Sequence, residues 1–265
     1  MRIVDLELSD VEQIRSALCG VDRVYWCAGG PLPAESEADV IGAIERRTRT
    51  LDLVLRAMAM LEVPPRIVLF SSGGTVYGEV GAAPVAEAIP PAPVTAYGIA
   101  SLCTERLAIR YGFLTSTRAL VLRCGNVYGH RQRSGRSQGV IANVIDAARS
   151  GRRFTVFGDG TTIRDYVLLD DVVDVAVRLP MVSDTPSIVN VGTQVGTTVL
   201  EVVAAVEREL GVELELDFVD QRVSDLQSVV LDTTLLQSLL GFDAVTLTEG
   251  LRRTIGDADR TVRGV

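Results

Sequence analysis

Tyr97 and Ser101 stand four residues apart in the stretch "VTAYGIASLCTERLAIRY", residues 94–111, whose apolar spacing predicts a helix. Residues four apart lie about one turn along a helix and share a face. A phenol in that position is a candidate base. With an ordinary pKa of ~10 it is a poor one at neutral pH unless a nearby positive charge favours the phenolate. Ser101 carries no charge. The plainer reading makes Tyr97 an aromatic at the start of a structural helix.

A second group of hydroxyls lies in "FSSGGTVYGEVG", residues 70–81, directly after an apolar run. Its glycines resemble a phosphate-cradling turn, in which backbone N–H groups at a helix start meet a pyrophosphate. Such a turn opens a helix at once. Here "AAPVAEAIPPAPV" follows, and its four prolines forbid an early helix. The stretch is therefore read as a strand-end loop of a site. No other segment fits the cradle, and a chain without it is expected to hold the pyrophosphate of a dinucleotide weakly. Ser71 and Ser72 admit a plainer use as strand-end caps. Asp159, Asp170 and Asp171 show no metal-ligand pattern, and no metal is expected.

The elements that must position these residues alternate. A strand is expected at 2–8, a helix at 9–18 capped by Ser9 or Asp10, and a strand at 23–28. One helix is expected over 37–62. The continuous apolar run "RIVLF" (66–70) reads as a strand buried on both faces. The helix carrying Tyr97 and a strand at 118–124 follow. This order implies an α/β fold with a parallel sheet and helices on both faces. Further on, helices are expected at 138–150, from Asp170, at 197–210, near 233–240 and at 247–255. Strands are expected at "FTVF", "DYVLL", "SIVNVG" and "ELELDFV".

The bulk properties exclude several roles. A net charge of −8 disfavours nucleic-acid binding. The basic cluster "ERRTR" (45–49) reads as a solvated helix face, and "GHRQRSGR" (129–136) as a loop that includes the lone histidine, His130. No apolar run reaches the ~18 residues of a membrane span. The start lacks the pattern of a signal peptide. Four cysteines without C-x-x-C spacing read as reduced thiols of a cytoplasmic protein.

Six segments then carry a resemblance: "LFSSGGTVYGE", "TAYGIAS", "LRCGNVYG", "VFGDGTTIRDYVLLDDVVD", "IVNVG" and "LLGFDAVTLTEGLRRTI", in that order. Together they resemble the extended short-chain dehydrogenase/reductase family, the NAD-dependent epimerase/dehydratases that act on nucleotide sugars. The branch most similar is that of the UDP-glucose 4-epimerases. The resemblance runs from about residue 5 to residue 256, and implies a Rossmann-like sheet with a small C-terminal substrate lobe. The domains expected from it are 1–125 with 166–193 for the nucleotide cofactor, and 126–165 with 194–265 for the substrate. The family's first strand, glycine turn and helix have no counterpart here, so the gene start is placed late or the protein is shortened.

In the family, a tyrosinate takes the proton of the sugar 4-hydroxyl while NAD takes a hydride. A lysine one turn along the helix favours the tyrosinate and bonds the nicotinamide ribose. The resemblance makes Tyr97 that tyrosine and puts Ser101 in the place of the lysine. An arginine could substitute only if the fold delivers one. Gly73 takes the place of the family's Ser or Thr, leaving Ser72 and Thr75 beside it, with Thr75 able to orient the hydroxyl. The cofactor contacts it implies are Glu7, Ala28, Gly29, Ser71 and Tyr97. Asn126, Arg164 and Arg222 resemble the residues that hold the nucleotide diphosphate, as arginine forks do; Arg164 could instead pair with Asp165. The implied partner is a nucleotide-diphosphate sugar, and a homodimer through helices 37–62 and 95–112 is expected. The competing reading is a non-catalytic member that binds a nucleotide sugar or a partner subunit.

Overall fold

The computed structural model describes residues 8–28, 30, 33–81, 83–135, 139–221 and 226–262. The strand expected at 2–8 lies almost wholly outside them. Helix α1 (Val11–Ala17) starts at Asp10, whose side chain accepts from the Glu12 and Gln13 amides. Strand β1 (Arg23–Trp26) follows. The single helix expected over 37–62 is two, α2 (Pro33–Ala38) and α3 (Val40–Ala59). Asp39 divides them. It leaves the helical conformation and accepts from the Gly42 amide, so a capping preference overrides the apolar periodicity.

Strand β2 (Arg66–Ser72) runs straight into a single helical turn, α4 (Gly73–Val76). A helix thus does open directly after "FSS", contrary to the sequence reading, but it ends before the prolines can disrupt it. Helix α5 (Ala96–Thr115) is capped by Thr95, which accepts from the Gly98 amide. Strands β3 (Ala119–Cys124) and β4 (Asn126–Tyr128), helix α6 (Val140–Ser150) and strands β5 (Phe154–Phe157) and β6 (Ile163–Leu168) follow. The chain continues through α7 (Leu169–Arg178), β7 (Ile188–Val191), β8 (Gly196–Thr198) and α8 (Val199–Leu210). A reciprocal capping box between Thr198 and Glu201 sets the start of α8. The last elements are β9 (Leu216–Val219), β10 (Ser228–Val229), α9 (Thr234–Leu240) and α10 (Leu247–Val262).

The main sheet has the order β1-β2-β3-β7, every pair parallel. Successive side chains on a strand point to opposite faces. Ile67, Leu69 and Val121 therefore pack under Ile14, Leu51, Met58 and Tyr111 of α1, α3 and α5. Val68, Leu120 and Leu122 pack under Val172, Val175 and Leu236 of α7 and α9. The run "RIVLF" is apolar throughout because both its faces are covered. A second sheet joins β10-β6-β4, with β8 antiparallel on β6, and β5 pairs with β9. A separate core lies beneath α6, α8 and α10, built on Tyr128, Ile141, Val144, Tyr166, Val202 and Leu251. Three short strands, β4, β8 and β10, had no clear signature in the sequence. None of the described helices is long and apolar enough to cross a membrane.

Inside the main sheet lies a charged pair. Arg123 of β3 is 1% exposed and Glu105 of α5 is 0% exposed, with Arg123 Nη2 2.7 Å from Glu105 Oε2. The Arg123 guanidinium also lies over the Tyr77 ring, and the Tyr77 hydroxyl donates to Asn190 Oδ1 at 2.8 Å.

Candidate functional site

The carboxyl ends of β1, β2 and β3 open onto one cavity of ≈ 930 Å³, which residues of the smaller sheets also line. This is where parallel α/β sheets expose backbone and side chains to ligands. Trp26, Cys27 and Ala28 border it from β1, Ser71 and Ser72 from β2, and Gly125 and Asn126 from the exit of β3. Thr75 and Tyr97 line it from α4 and α5, and Arg164 and Tyr166 from β6. Burial pushes the Cys27 thiol up, away from thiolate character.

Tyr97 sits in the first turn of α5. The Thr95 cap and the Glu37 carboxylate, which accepts from the Ala96 amide at 2.8 Å, hold that turn in place. A carboxylate there also suits the positive end of the helix dipole. Ser101 is 2% exposed, and its hydroxyl donates to the Tyr97 carbonyl at 2.8 Å. It is bonded back onto its own helix.

The hydroxyls after β2 have different uses. Ser71 Oγ donates to Glu105 Oε1 at 2.5 Å, which ties the cavity wall to the buried ion pair. Ser72 precedes α4 but makes no side-chain cap, so the simple capping use foreseen for it is not what it does. Thr75 Oγ1 is buried with no hydrogen-bond partner. Such an atom in a cavity wall is placed for a ligand group, since leaving it unmet costs about 1–3 kcal/mol. At Gly73, a Cβ would meet Leu231 Cδ1 at 2.6 Å and the Arg123 carbonyl at 3.0 Å. This position has no room for a hydroxyl side chain. Gly73→Ser is expected to destabilise the fold by about 1–3 kcal/mol without adding activity, read by urea unfolding and a turnover assay.

Asn126 opens β4 on the cavity side. Arg164 lines the cavity and donates from Nη1 to the Ile163 carbonyl at 2.8 Å. Its neighbour Asp165 is turned to the other face and buried. There it accepts from the Thr193 amide and hydroxyl and from the amides of Gln194 and Leu231. Burial raises the Asp165 carboxyl, and these hydrogen bonds oppose the rise. The suggested Arg164–Asp165 pairing thus gives way to strand alternation. From the basic loop, Gln132 reaches the wall. His130 accepts from Arg131 Nε. Glu7, Gly29 and Arg222 lie outside the described residues.

One cavity residue was not foreseen. Arg47 of α3 lines it, with its guanidinium carbon 4.3 Å from the centre of the Tyr97 ring. The cluster "ERRTR" is therefore only partly a solvated face. Arg46 pairs with Asp39 and Arg49 with Glu45 at the surface, whereas Arg47 points inward. The signal was present: Arg47 lies four residues before Leu51, on the buried side of the helix.

The profile of the NAD dependent epimerase/dehydratase family matches residues 1–192. A UDP-glucose 4-epimerase of Mycolicibacterium smegmatis is 33% identical over 224 residues, covering 84% of this chain and 69% of that protein. Among solved structures, a UDP-glucose 4-epimerase from Thermotoga maritima with UDP-glucose superposes with a TM-score of 0.89 at 28% identity, covering 97% of this chain and 84% of that one. A UDP-glucose 4-epimerase from Thermus thermophilus in complex with NAD gives a TM-score of 0.86, also at 28% identity, over 96% of this chain and 83% of that one.

Proposed function

As the chain belongs to the NAD-dependent epimerase/dehydratase family, we propose that it acts on a nucleotide-diphosphate sugar as a 4-epimerase-like enzyme. The observation that carries this reading is Thr75 Oγ1, buried and unpartnered in the cavity that Tyr97 also lines. In the proposed reaction Tyr97 removes the proton of the sugar 4-hydroxyl. Thr75, with Ser72 beside it, orients that hydroxyl. Asn126, Arg164 and Arg222 hold the diphosphate.

The cofactor of this reading is NAD, which supplies the hydride acceptor and donor when bound. What supports this is that Ala28 and Ser71 border the cavity that Tyr97 lines, and that Arg47 Nε is another buried polar atom without a partner. Gly29 is assigned to the cofactor as well, and Glu7 to its adenosine end. Residues 1–125 with 166–193 form the cofactor domain of this reading, and 126–165 with 194–265 the substrate lobe.

The test is direct. Incubated with NAD and UDP-glucose, the protein should produce the 4-epimer, followed by proton NMR of the anomeric signals. Retained nucleotide-sugar binding with no product over prolonged incubation would make it a binding member of the family.

We also propose a cytoplasmic homodimer, joined through α3 and α5. Of the apolar residues of α3, Leu51, Leu55 and Met58 serve the core. Ile41 (74% exposed) and Phe113 (84% exposed) remain outward on these helices, with Leu114 beside Phe113. Light scattering at micromolar concentration should give the mass of two chains, and Phe113→Glu should give that of one. A native monomer would remove the dimer.

A further inference from the structure

The position one turn along from Tyr97 holds a neutral side chain committed to its own backbone, since Ser101 donates to the Tyr97 carbonyl. A tyrosine asked to act as a base still needs a positive charge near its ring. Arg123 does not supply one, because it is consumed by Glu105 beneath the sheet ends. Arg152 is paired with Asp146, and Arg153 with Glu215 and Asp217.

Arg47 differs from these in the ring that it covers. Its guanidinium lies over the Tyr97 ring at 4.3 Å from the centroid, well within the range of a cation–π contact. Its Nε is buried and has no hydrogen-bond partner. Room for it is left by Gly30, where a Cβ would meet Arg47 Cγ at 2.4 Å. The side chain therefore reaches the ring from a neighbouring helix, through space that a larger residue at position 30 would occupy.

We propose that Arg47 is the positioning cation of Tyr97. It supplies from α3 the charge that the family's lysine supplies from the tyrosine's own helix, and it offers its free Nε–H to a hydroxyl of the nicotinamide ribose. The proposal rests on the NAD-dependent reading above. A guanidinium suits the task in two ways. It stays charged at any working pH, and its planar face stacks on the ring where an ammonium could not. The arrangement also makes the site depend on the packing of α3 against α5, rather than on one helix alone.

The test is a two-by-two set: native, Arg47→Gln, Ser101→Lys, and both together. Trp26, the one tryptophan of the chain, lines the same cavity, so its fluorescence reports NAD binding without turnover. Arg47→Gln should weaken the NAD titration about tenfold, as loss of a charged hydrogen bond does. It should lower turnover by about 10²-fold, with thermal unfolding unchanged. Adding Ser101→Lys to Arg47→Gln should recover most of both losses, whereas in the native background the same lysine should add little. Arg47→Lys should recover turnover in part. Equal NAD midpoints in native and Arg47→Gln proteins overturn the proposal, as does a turnover loss that Ser101→Lys leaves untouched. If the native protein quenches with NAD but turns nothing over, the enzymatic reading fails while the Arg47 contact is still judged by the midpoints. If no variant responds to NAD, both fall.

Discussion

Arg123→Met should lower the stability of the fold by about 3–5 kcal/mol, the range found when one member of a buried ion pair is removed. Arg123 and Glu105 are both sealed from solvent, with Nε and Nη2 of the arginine each donating to the carboxylate. Burial by itself pulls the arginine toward neutrality, yet Glu105 and Tyr77 together more than offset this and hold its pKa above the ordinary value. Without Arg123 the Glu105 carboxylate keeps, among the described residues, only Ser71 as a charge-stabilising partner. It must then stay charged in an apolar sheet or take up a proton. The effect also reaches the site, because Ser71 takes its orientation from Glu105. Urea unfolding measures the loss. The double variant Glu105→Leu with Arg123→Met should be less destabilised than Arg123→Met alone, since no charge is left stranded. A single variant as stable as the native protein would mean that water reaches Glu105.

Much of this architecture could be read from residue patterns. The run at 66–70 gave a doubly covered strand because such a strand has no polar face to show. The helix of Tyr97 was legible from its apolar spacing, and the structure adds Thr95 as its cap. Asp39 was misread because a helix-compatible apolar period ran on both sides of it, and only the local side chain to backbone bond breaks the helix there. Strands β4, β8 and β10 are two or three residues long, too short for alternation to register.

The candidate site was legible where it follows strand ends. Ser71, Ser72, Thr75, Tyr97, Asn126 and Arg164 meet at one cavity although up to 93 residues of chain separate them. Arg47 was overlooked although its spacing from Leu51 puts it on the buried side of α3. Its neighbours Arg46 and Arg49 pair at the surface, and a cluster of arginines reads as solvated until one of them is seen to turn inward. The steric closure at Gly73 was hidden, because Leu231 comes from a distant part of the chain.

Tyr97→Phe should reduce turnover by about 10²–10⁴-fold, the usual contribution of a general base, or about 3–5 kcal/mol in the barrier. The substitution is a clean one. A phenylalanine keeps the ring, its place in the first turn of α5, and a face for the Arg47 guanidinium. Only the phenol oxygen is lost. Binding of the nucleotide sugar should change little under the proposed assignment, in which Asn126 and Arg164 hold the diphosphate rather than the reacting hydroxyl. The expected pattern is therefore a fall in kcat with KM nearly constant. Arg47→Gln should differ from it in one measurable respect, by weakening NAD binding as well. Thr75→Val, which removes the unpartnered hydroxyl while keeping its shape, should lose less than Tyr97→Phe and should not weaken NAD binding. If Tyr97→Phe turns over like the native protein, the proton leaves by another group and Tyr97 serves only as the surface on which Arg47 rests.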